Sequence, residues 1–163
     1  MREMSKVVRT VSNILFPFIL IFGFYIVLHG HLTPGGGFQG GAVIGSAVAL
    51  IIAAHGSKKA LKLFNKNLFS LGESGGLLLF IGLAFAGLST AFFYNFITGE
   101  DFIFGESVDY GINSGNLNTG GTVPLMNIFV GLEVVSAFGV ILLALLSGLK
   151  YNKGEEEEMG GEN

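Results

Sequence analysis

Four long apolar blocks restrict the fold of this chain more than any other feature. They lie at 11–29, 38–55, 75–97 and 124–147, and each is close to the roughly 20 residues that a helix needs to cross a bilayer. Half of the 163 residues are hydrophobic and 13% are charged, whereas soluble domains carry about 25% charged residues. The sequence predicts an all-α integral membrane protein with four transmembrane helices, in which residues 1–150 form one membrane domain.

The basic residues predict how the chain is oriented in the membrane. They occur in three segments, which contain Arg2, Lys6 and Arg9, then Lys58, Lys59, Lys62 and Lys66, and then Lys150 and Lys153. Four spans place all three segments on one side, which the positive-inside rule makes the cytoplasm. We therefore expect a multi-pass protein of the cell membrane with both termini cytoplasmic. The glutamate-rich segment 151–163 is expected to be a disordered acidic tail.

Three other segments have competing interpretations. The first block follows basic residues as a signal peptide does, but no Ala-x-Ala site follows it, so we expect a retained span. The basic stretch KKALKLFNKNLF is expected to lie along anionic headgroups. The long external loop carries Glu100, Asp101, Glu106 and Asp109. It is either a cation-attracting pore mouth or, as we favour, a solvated loop whose aromatic residues pack on the membrane or a neighbour.

The glycine cluster in HGHLTPGGGFQGG, residues 29–41, does not fit a phosphate-binding loop. Such loops follow a buried strand and end in Lys-Ser/Thr, whereas this cluster lies between two spans. Gly37, Gly41 and Gly45 recur at every fourth residue and so share one helix face. Small residues at this spacing let membrane helices approach closely. Gly82 and Gly87 repeat the pattern more weakly on the third span. These faces serve contacts within the chain or, as we favour, contacts with larger membrane subunits.

One acidic residue lies within the fourth span. Glu133 follows Pro124 by nine residues, about 14 Å along a helix, which places it near the middle of a bilayer about 30 Å thick. A charge there costs about 2.5–3.5 kcal/mol even on the insertion scale, so it faces a cavity or a partner. Ser136 on the same face and Asn127 nearer the outer surface are further candidates for ion handling. The alternative is a protonated glutamate that only joins helices by hydrogen bonds.

His29 and His31 flank the turn after the first span. Two histidines could share a metal ion, but no third ligand is near in sequence, so interfacial hydrogen bonding is the favoured interpretation. A protonation role remains open because histidine titrates near neutral pH. The chain has no cysteine, which excludes disulfides, thiolate metal sites and iron–sulfur clusters. We expect no metal, no cofactor, no nucleic-acid partner and no catalytic site.

Two motifs carry a family resemblance. HGHLTPGGGFQGGAVIGSAVAL and GGTVPLMNIFVGLEVVSAFGVILLAL cover the first two spans and the last, and they resemble the MnhB (MrpB) subunits of Mrp-type multi-subunit Na⁺/H⁺ antiporters. Related subunits also occur in archaeal energy-converting complexes such as membrane-bound hydrogenases. The resemblance implies a small membrane subunit without a catalytic site, beside larger proton-translocating subunits, in a complex that moves Na⁺ and H⁺. Any redox centres would lie on other chains.

Three functional hypotheses follow. In the first, the chain belongs to a cation/proton translocating complex, either a stand-alone antiporter or a hydrogenase-type assembly, and Glu133 lies on or beside the ion route. In the second, it is a structural scaffold that links larger subunits in the lipid bilayer. In the third, it is a self-sufficient small transporter. An enzyme is the weakest hypothesis, because no nucleophile–base pair is evident.

Overall fold

The structure, a computed structural model, describes residues 3–107 and 116–159, without the side chains of residue 58 and of residues 149–159. Within this part the chain is helical and contains no strand. The helices are α1 (Lys6–His29), α2 (Gly37–His55), α3 (Ser57–Leu63), α4 (Lys66–Ala86) and α5 (Thr122–Met159). Four segments are long and apolar enough to cross a membrane, namely α1, α2, α4 and Thr122–Gly148 of α5. The all-α class and the four apolar spans are therefore confirmed.

The third span differs from its predicted position. It was expected at 75–97, but α4 begins at Lys66 and ends at Ala86. The Asn65 side chain caps its start by accepting a hydrogen bond from Asn67 N at 2.9 Å. After Gly87 the chain folds into turns, and Phe93 N donates to Ala84 O at 3.1 Å. Hydropathy alone misplaced this span, because the stretch KNLFSLGES is polar but helical and the stretch LSTAFFYNFI is apolar but turned.

The end of α5 also differs from expectation. The helix continues to Met159, into the acidic segment that we expected to be disordered. Lysine and glutamate are good helix formers, and a helix already nucleated upstream extends at little cost. Residues 160–163, and Asp109 in the external loop, lie outside the described part of the chain.

Part of the basic stretch packs inside the protein. It forms α3 and the first turn of α4, and Ala60 of α3 is buried in a small apolar cluster with Val48, Ile52, Leu143 and Leu146. This cluster joins α2, α3 and α5 at the end of the molecule where the basic residues lie. The lipid contact that we expect for the lysines stays a prediction.

The spanning helices form a row in the order α1, α2, α5, α4. Neighbours in this row pack along their lengths, α1 also touches α5, and in the described part of the chain α4 meets α5 but neither α1 nor α2. The helices in the middle of the row are more buried than those at its edges: half of the α2 span is buried, but only 11% of the α4 span. Both broad faces of the row are therefore left to lipid or to other subunits.

Glycine faces let α2 approach α5 closely. A Cβ atom on Gly41 would lie 2.8 Å from Val134 Cβ, and one on Gly45 would lie 2.9 Å from Phe138 Cβ. A Cβ on Gly37 would collide with the backbone oxygen of Asn127. These three glycines therefore form the α2 side of the contact with α5.

The remaining glycines divide between contacts inside the chain and open surface. Gly40, which falls outside the four-residue spacing of the predicted face, meets α1 near Gly23 and Val27. Gly87 packs on Tyr94 in the turn that follows α4, whereas a Cβ on Gly82 would meet nothing within 4 Å. Gly82 thus makes no helix contact within the described chain.

We predict that Gly41→Leu destabilises the protein and that Gly82→Leu does not. The first change forces a large side chain against Val134, and overpacking typically costs about 1–3 kcal/mol. The second adds the same side chain in open space. The measurement is the temperature at which the solubilised wild-type and variant proteins lose their soluble, folded fraction. Equal losses in both variants would contradict the assigned contact.

Candidate functional site

The acid within the fourth span lies at the contact between α4 and α5. Glu133 follows Thr122, the first residue of α5, by eleven residues, about 17 Å along the axis. A Cβ on Gly76 of α4 would lie 2.9 Å from Glu133 N and 3.0 Å from Glu133 Cβ. Ser136 is 4% exposed and lies against Gly72. Glu133 and Ser136 therefore both face α4, as their shared helix face predicts.

Glu133 is partly buried, and its carboxyl group lacks a basic partner among the described residues. Within the described residues the ion pair that forms is that of Arg9 with Glu3, and no hydrogen bond reaches the Glu133 side chain. The lysines and arginines of the chain lie near the ends of the spans or outside them. The group must therefore be neutralised by a proton, an ion, water or a residue of another chain.

A second acid of the spans, Glu73, lies between Gly72 and Gly76, which contact α5, and was missed in the sequence analysis. It is half-buried in α4, three residues before Gly76, so it lies about one helical turn from the level of Glu133. The misplaced third span had left Glu73 outside the membrane. The polar N-cap at Asn65 was the sequence signal that could have found it.

Asn127 lies on another side of α5, and its side chain packs against the turn between α1 and α2. A Cβ on Gly30 would lie 2.7 Å from Asn127 Nδ2, and one on Gly36 would lie 3.1 Å from Asn127 Oδ1. Asn127 precedes Glu133 by six residues, so the two are separated by about 9 Å along the helix and by about 120° around it. The two residues therefore do not face one common path within this chain.

His29 and His31 belong to the chain segment at this turn, against which Asn127 packs at Gly30 and Gly36, and we call His29, His31 and Asn127 the outer junction. The ring of His29 stacks on Tyr25 with a centroid distance of 4.5 Å. The ring of His31 meets the edge of Phe104 in the external loop at 6.3 Å. Burial, and to a lesser extent the neighbouring His29, lowers the pKa of His31, and the backbones of Leu117 and Leu28 oppose this shift. His31 is therefore neutral near pH 7.

An asparagine from the turn after α4 secures α5 beside the outer junction. Asn95 Oδ1 accepts a hydrogen bond from Thr122 N at 2.8 Å, and Asn95 Nδ2 donates to Gly120 O at 3.2 Å. Asn95 thus satisfies one of the free N–H groups at the start of α5. This residue was missed in the sequence, because the contact joins positions that are 27 residues apart.

The external loop carries an open cavity of about 740 Å³ lined by Glu100, Asp101 and Glu106 among others. A hydrogen bond from Asn116, and a second one involving Asn118, lower the pKa of Glu106, so this carboxylate stays ionised at lower pH than usual. Within the described residues no three histidine or acidic side chains come close enough to hold a metal ion. Phe102 and Ile103 are exposed, in a loop that we expected to pack on the membrane or a neighbour.

Comparisons with known proteins agree with the motifs. Residues 7–150 match the family described as a domain related to the MnhB subunit of Na⁺/H⁺ antiporters. An antiporter subunit, mnhB2, of Staphylococcus haemolyticus is 31% identical over 156 residues, which cover 91% of this chain and 99% of that protein. A protein of Methanocaldococcus jannaschii is 32% identical over 145 residues, or 88% of this chain, but the match spans only 53% of the relative.

A solved structure has a similar fold. A chain of the membrane-bound sulfane sulfur reductase, an archaeal respiratory membrane complex, is 31% identical and superposes with a TM-score of 0.66. The match covers 85% of this chain and 57% of that chain. The resemblance noted in the sequence is thereby confirmed.

We predict that Asn95→Ala weakens the start of α5, whereas Asn95→Asp weakens it less. Alanine leaves Thr122 N without its acceptor, and a buried donor left unpaired costs about 1–3 kcal/mol. Aspartate loses the hydrogen bond that Asn95 Nδ2 donates to Gly120 O, but it keeps the acceptor for Thr122 N and places a negative charge at a helix N-terminus, where it is favourable. The measurement is hydrogen exchange at the first turn of α5, together with thermal stability. Faster exchange in the Asp variant than in the Ala variant would contradict the assignment.

Proposed function

Because this chain belongs to the MnhB family, we propose that it is a non-catalytic membrane subunit of a multi-subunit cation/proton antiporter module. The host is a stand-alone Na⁺/H⁺ antiporter or the antiporter-like part of a respiratory membrane complex. The antiporter relative that is matched over 99% of its length supports the first host. The similar chain in an archaeal respiratory complex supports the second. Its partners are then other membrane subunits and the lipid bilayer.

In this proposal the chain crosses the cell membrane four times with both termini in the cytoplasm. The support is the distribution of the lysines and arginines, which fall at one end of the four spans as the positive-inside rule requires. The outer junction and the acidic loop then face outward. Glu133 lies between the two surfaces.

Glu133 is the residue that we propose takes part in ion translocation. The observation that carries this proposal is a half-buried carboxyl group in the middle of a span without a basic partner in the described chain. Intramembrane acids of this kind are commonly functional, because an unneutralised charge there is costly. A carboxyl group at this position can bind H⁺ or Na⁺ in turn and so exchange one for the other.

A scaffold function is the second candidate, and the open row of helices favours it. The α4 helix is buried along only one side, and a Cβ atom added to its Gly75 or Gly82 would meet no other atom within 4 Å. Small residues facing outward suit contact with helices of other subunits. A scaffold needs no titration of Glu133, so the two candidates differ in a measurable way.

We predict that Glu133→Gln leaves the complex assembled but lowers its Na⁺/H⁺ exchange. Glutamine keeps the size of the side chain and cannot carry the charge. We expect a fall of at least about tenfold, which corresponds to about 1.4 kcal/mol in the rate-limiting barrier. The measurement is Na⁺-dependent dissipation of a pH gradient in membrane vesicles that contain the whole complex.

Glu106→Gln is the matched control, because Glu106 is an acid of the exposed external loop. It should keep wild-type exchange. Co-purification of the other subunits checks assembly in both variants. An assembled Glu133→Gln complex with wild-type exchange would remove Glu133 from the mechanism and leave the scaffold function.

A further inference from the structure

The basic stretch between the second and third spans is a charged surface that the proposed function does not use. Its residues, 58–69, include four lysines and no acid. Lys59, Lys62 and Lys66 are exposed. Within the described side chains no acid pairs with these three lysines, since the ion pair there joins Arg9 to Glu3. The stretch therefore presents a concentrated positive charge to its surroundings.

The basic stretch lies where the spans end, on the side of α5. It joins α2 to α4, and both of these helices are long and apolar enough to cross the membrane. Ala60 of α3 packs in the apolar cluster with Leu143 and Leu146 of α5, and α5 continues as a helix to Met159. Because α5 continues past this level, α3 cannot cover the end of α5 and must pass beside it.

The lysines of α3 face away from the bundle at this level. Lys62 follows Ala60 by two residues, which places it about 160° from Ala60 around the helix, and Lys59 lies about 100° from Ala60. Ala60 is 1% exposed, whereas both lysines are exposed. Since Ala60 lies against the side of α5, Lys62 faces outward, toward whatever surrounds the protein at the membrane surface.

Exposed leucines accompany the lysines. Leu63 and Leu68 are 61% and 69% exposed, and Leu61 is 37% exposed. The boundary between headgroups and acyl chains accommodates such a mixture, because leucine enters the apolar region while lysine contacts anionic headgroups. A lysine stem also lies along apolar surface and keeps its ammonium group in the polar region. The composition of this surface therefore fits the lipid interface better than it fits water.

The glutamate-rich end of the chain lies beyond the level of these lysines. Its first glutamate, Glu155, follows Leu146 by nine residues, and the backbone is helical over this distance. Nine helical residues place the Glu155 backbone about 14 Å past Leu146, the residue that clusters with Ala60. An anionic partner at the level of α3 therefore comes from outside the described chain.

We propose that the basic stretch binds the headgroups of anionic phospholipids, with its exposed lysines at the phosphates and its exposed leucines in the acyl region. Charge selects this partner, because each lysine near an anionic membrane surface raises the affinity about fivefold. The proposal requires α2 and α4 to span the membrane, but it requires no ion exchange. It is therefore independent of the function proposed for Glu133.

The test uses the whole complex in nanodiscs with equal amounts of phosphatidylglycerol and phosphatidylcholine, each carrying the same photoreactive group on one acyl chain. Cross-linked peptides are identified by mass spectrometry after cleavage that does not depend on lysine. The reference is the lipid-facing surface of α1 around Phe18 and Ile21, which are exposed. Residues 57–71 should favour phosphatidylglycerol over this reference by at least about fivefold, the contribution of one lysine.

The triple variant Lys59→Gln, Lys62→Gln, Lys66→Gln should lose this preference. The matched control is the triple variant Lys59→Arg, Lys62→Arg, Lys66→Arg, which keeps the charge and should keep the preference. High salt should lower the wild-type preference, because it screens exposed charges.

An equal lipid ratio on residues 57–71 and on the α1 reference in the wild type would overturn the proposal, even if the glutamine variant fails to assemble. An unchanged preference in an assembled glutamine variant would also overturn it. Cross-links from this stretch to another protein subunit in place of lipid would show that an acidic protein surface is the partner instead. None of these results depends on the exchange activity that tests Glu133.

Discussion

Close backbone contact around α5 is the constraint on which the rest of this structure depends. Gly41 and Gly45 of α2 pack on one side of α5, and Gly72 and Gly76 of α4 pack on another. Lipid supplies no hydrophobic force between helices, so such contacts must come from close packing. Each glycine costs about 1 kcal/mol in helix propensity relative to alanine, which is offset where two backbones meet. These contacts place α5 between its neighbours and determine which of its residues contact α2 and which contact α4.

The position of α5 separates two polar regions that differ in chemistry. On the α4 side, Glu133 can carry charge in the middle of the span. At the end of α5 that begins at Thr122, Asn127 offers amide donor and acceptor groups beside the turn that contains His31. The separation follows from the register of one helix, since Asn127 and Glu133 are about 120° apart around it. A continuous ion route between them would therefore need groups from other subunits.

Much of the fold could be predicted from the sequence, because an apolar block of about 20 residues has few alternatives to a membrane helix. The bounds of α4 could not, since a polar helix start and an apolar turn both contradict hydropathy. Because the third span was predicted too late in the sequence, Glu73 was not recognised as a residue within a span. The cap that Asn95 provides, and the contact of Gly40 with Gly23, depend on residues distant in sequence. No local pattern contains them.

Both acids inside the spans involve α4, the span that is buried least. The α2 span is half buried within the chain, whereas the α4 span is only 11% buried. Glu73 of α4 and Glu133, which lies against Gly76 of α4, are both partly buried. Leucine and phenylalanine on the open side of α4 are satisfied by lipid, but two carboxyl groups one turn apart are not. Each carboxyl group therefore requires a proton, a cation, water or a polar side chain of another subunit beside it. The proposed scaffold function and the proposed ion-handling function therefore involve the same contact, because a subunit that packed on α4 would also lie beside Glu133.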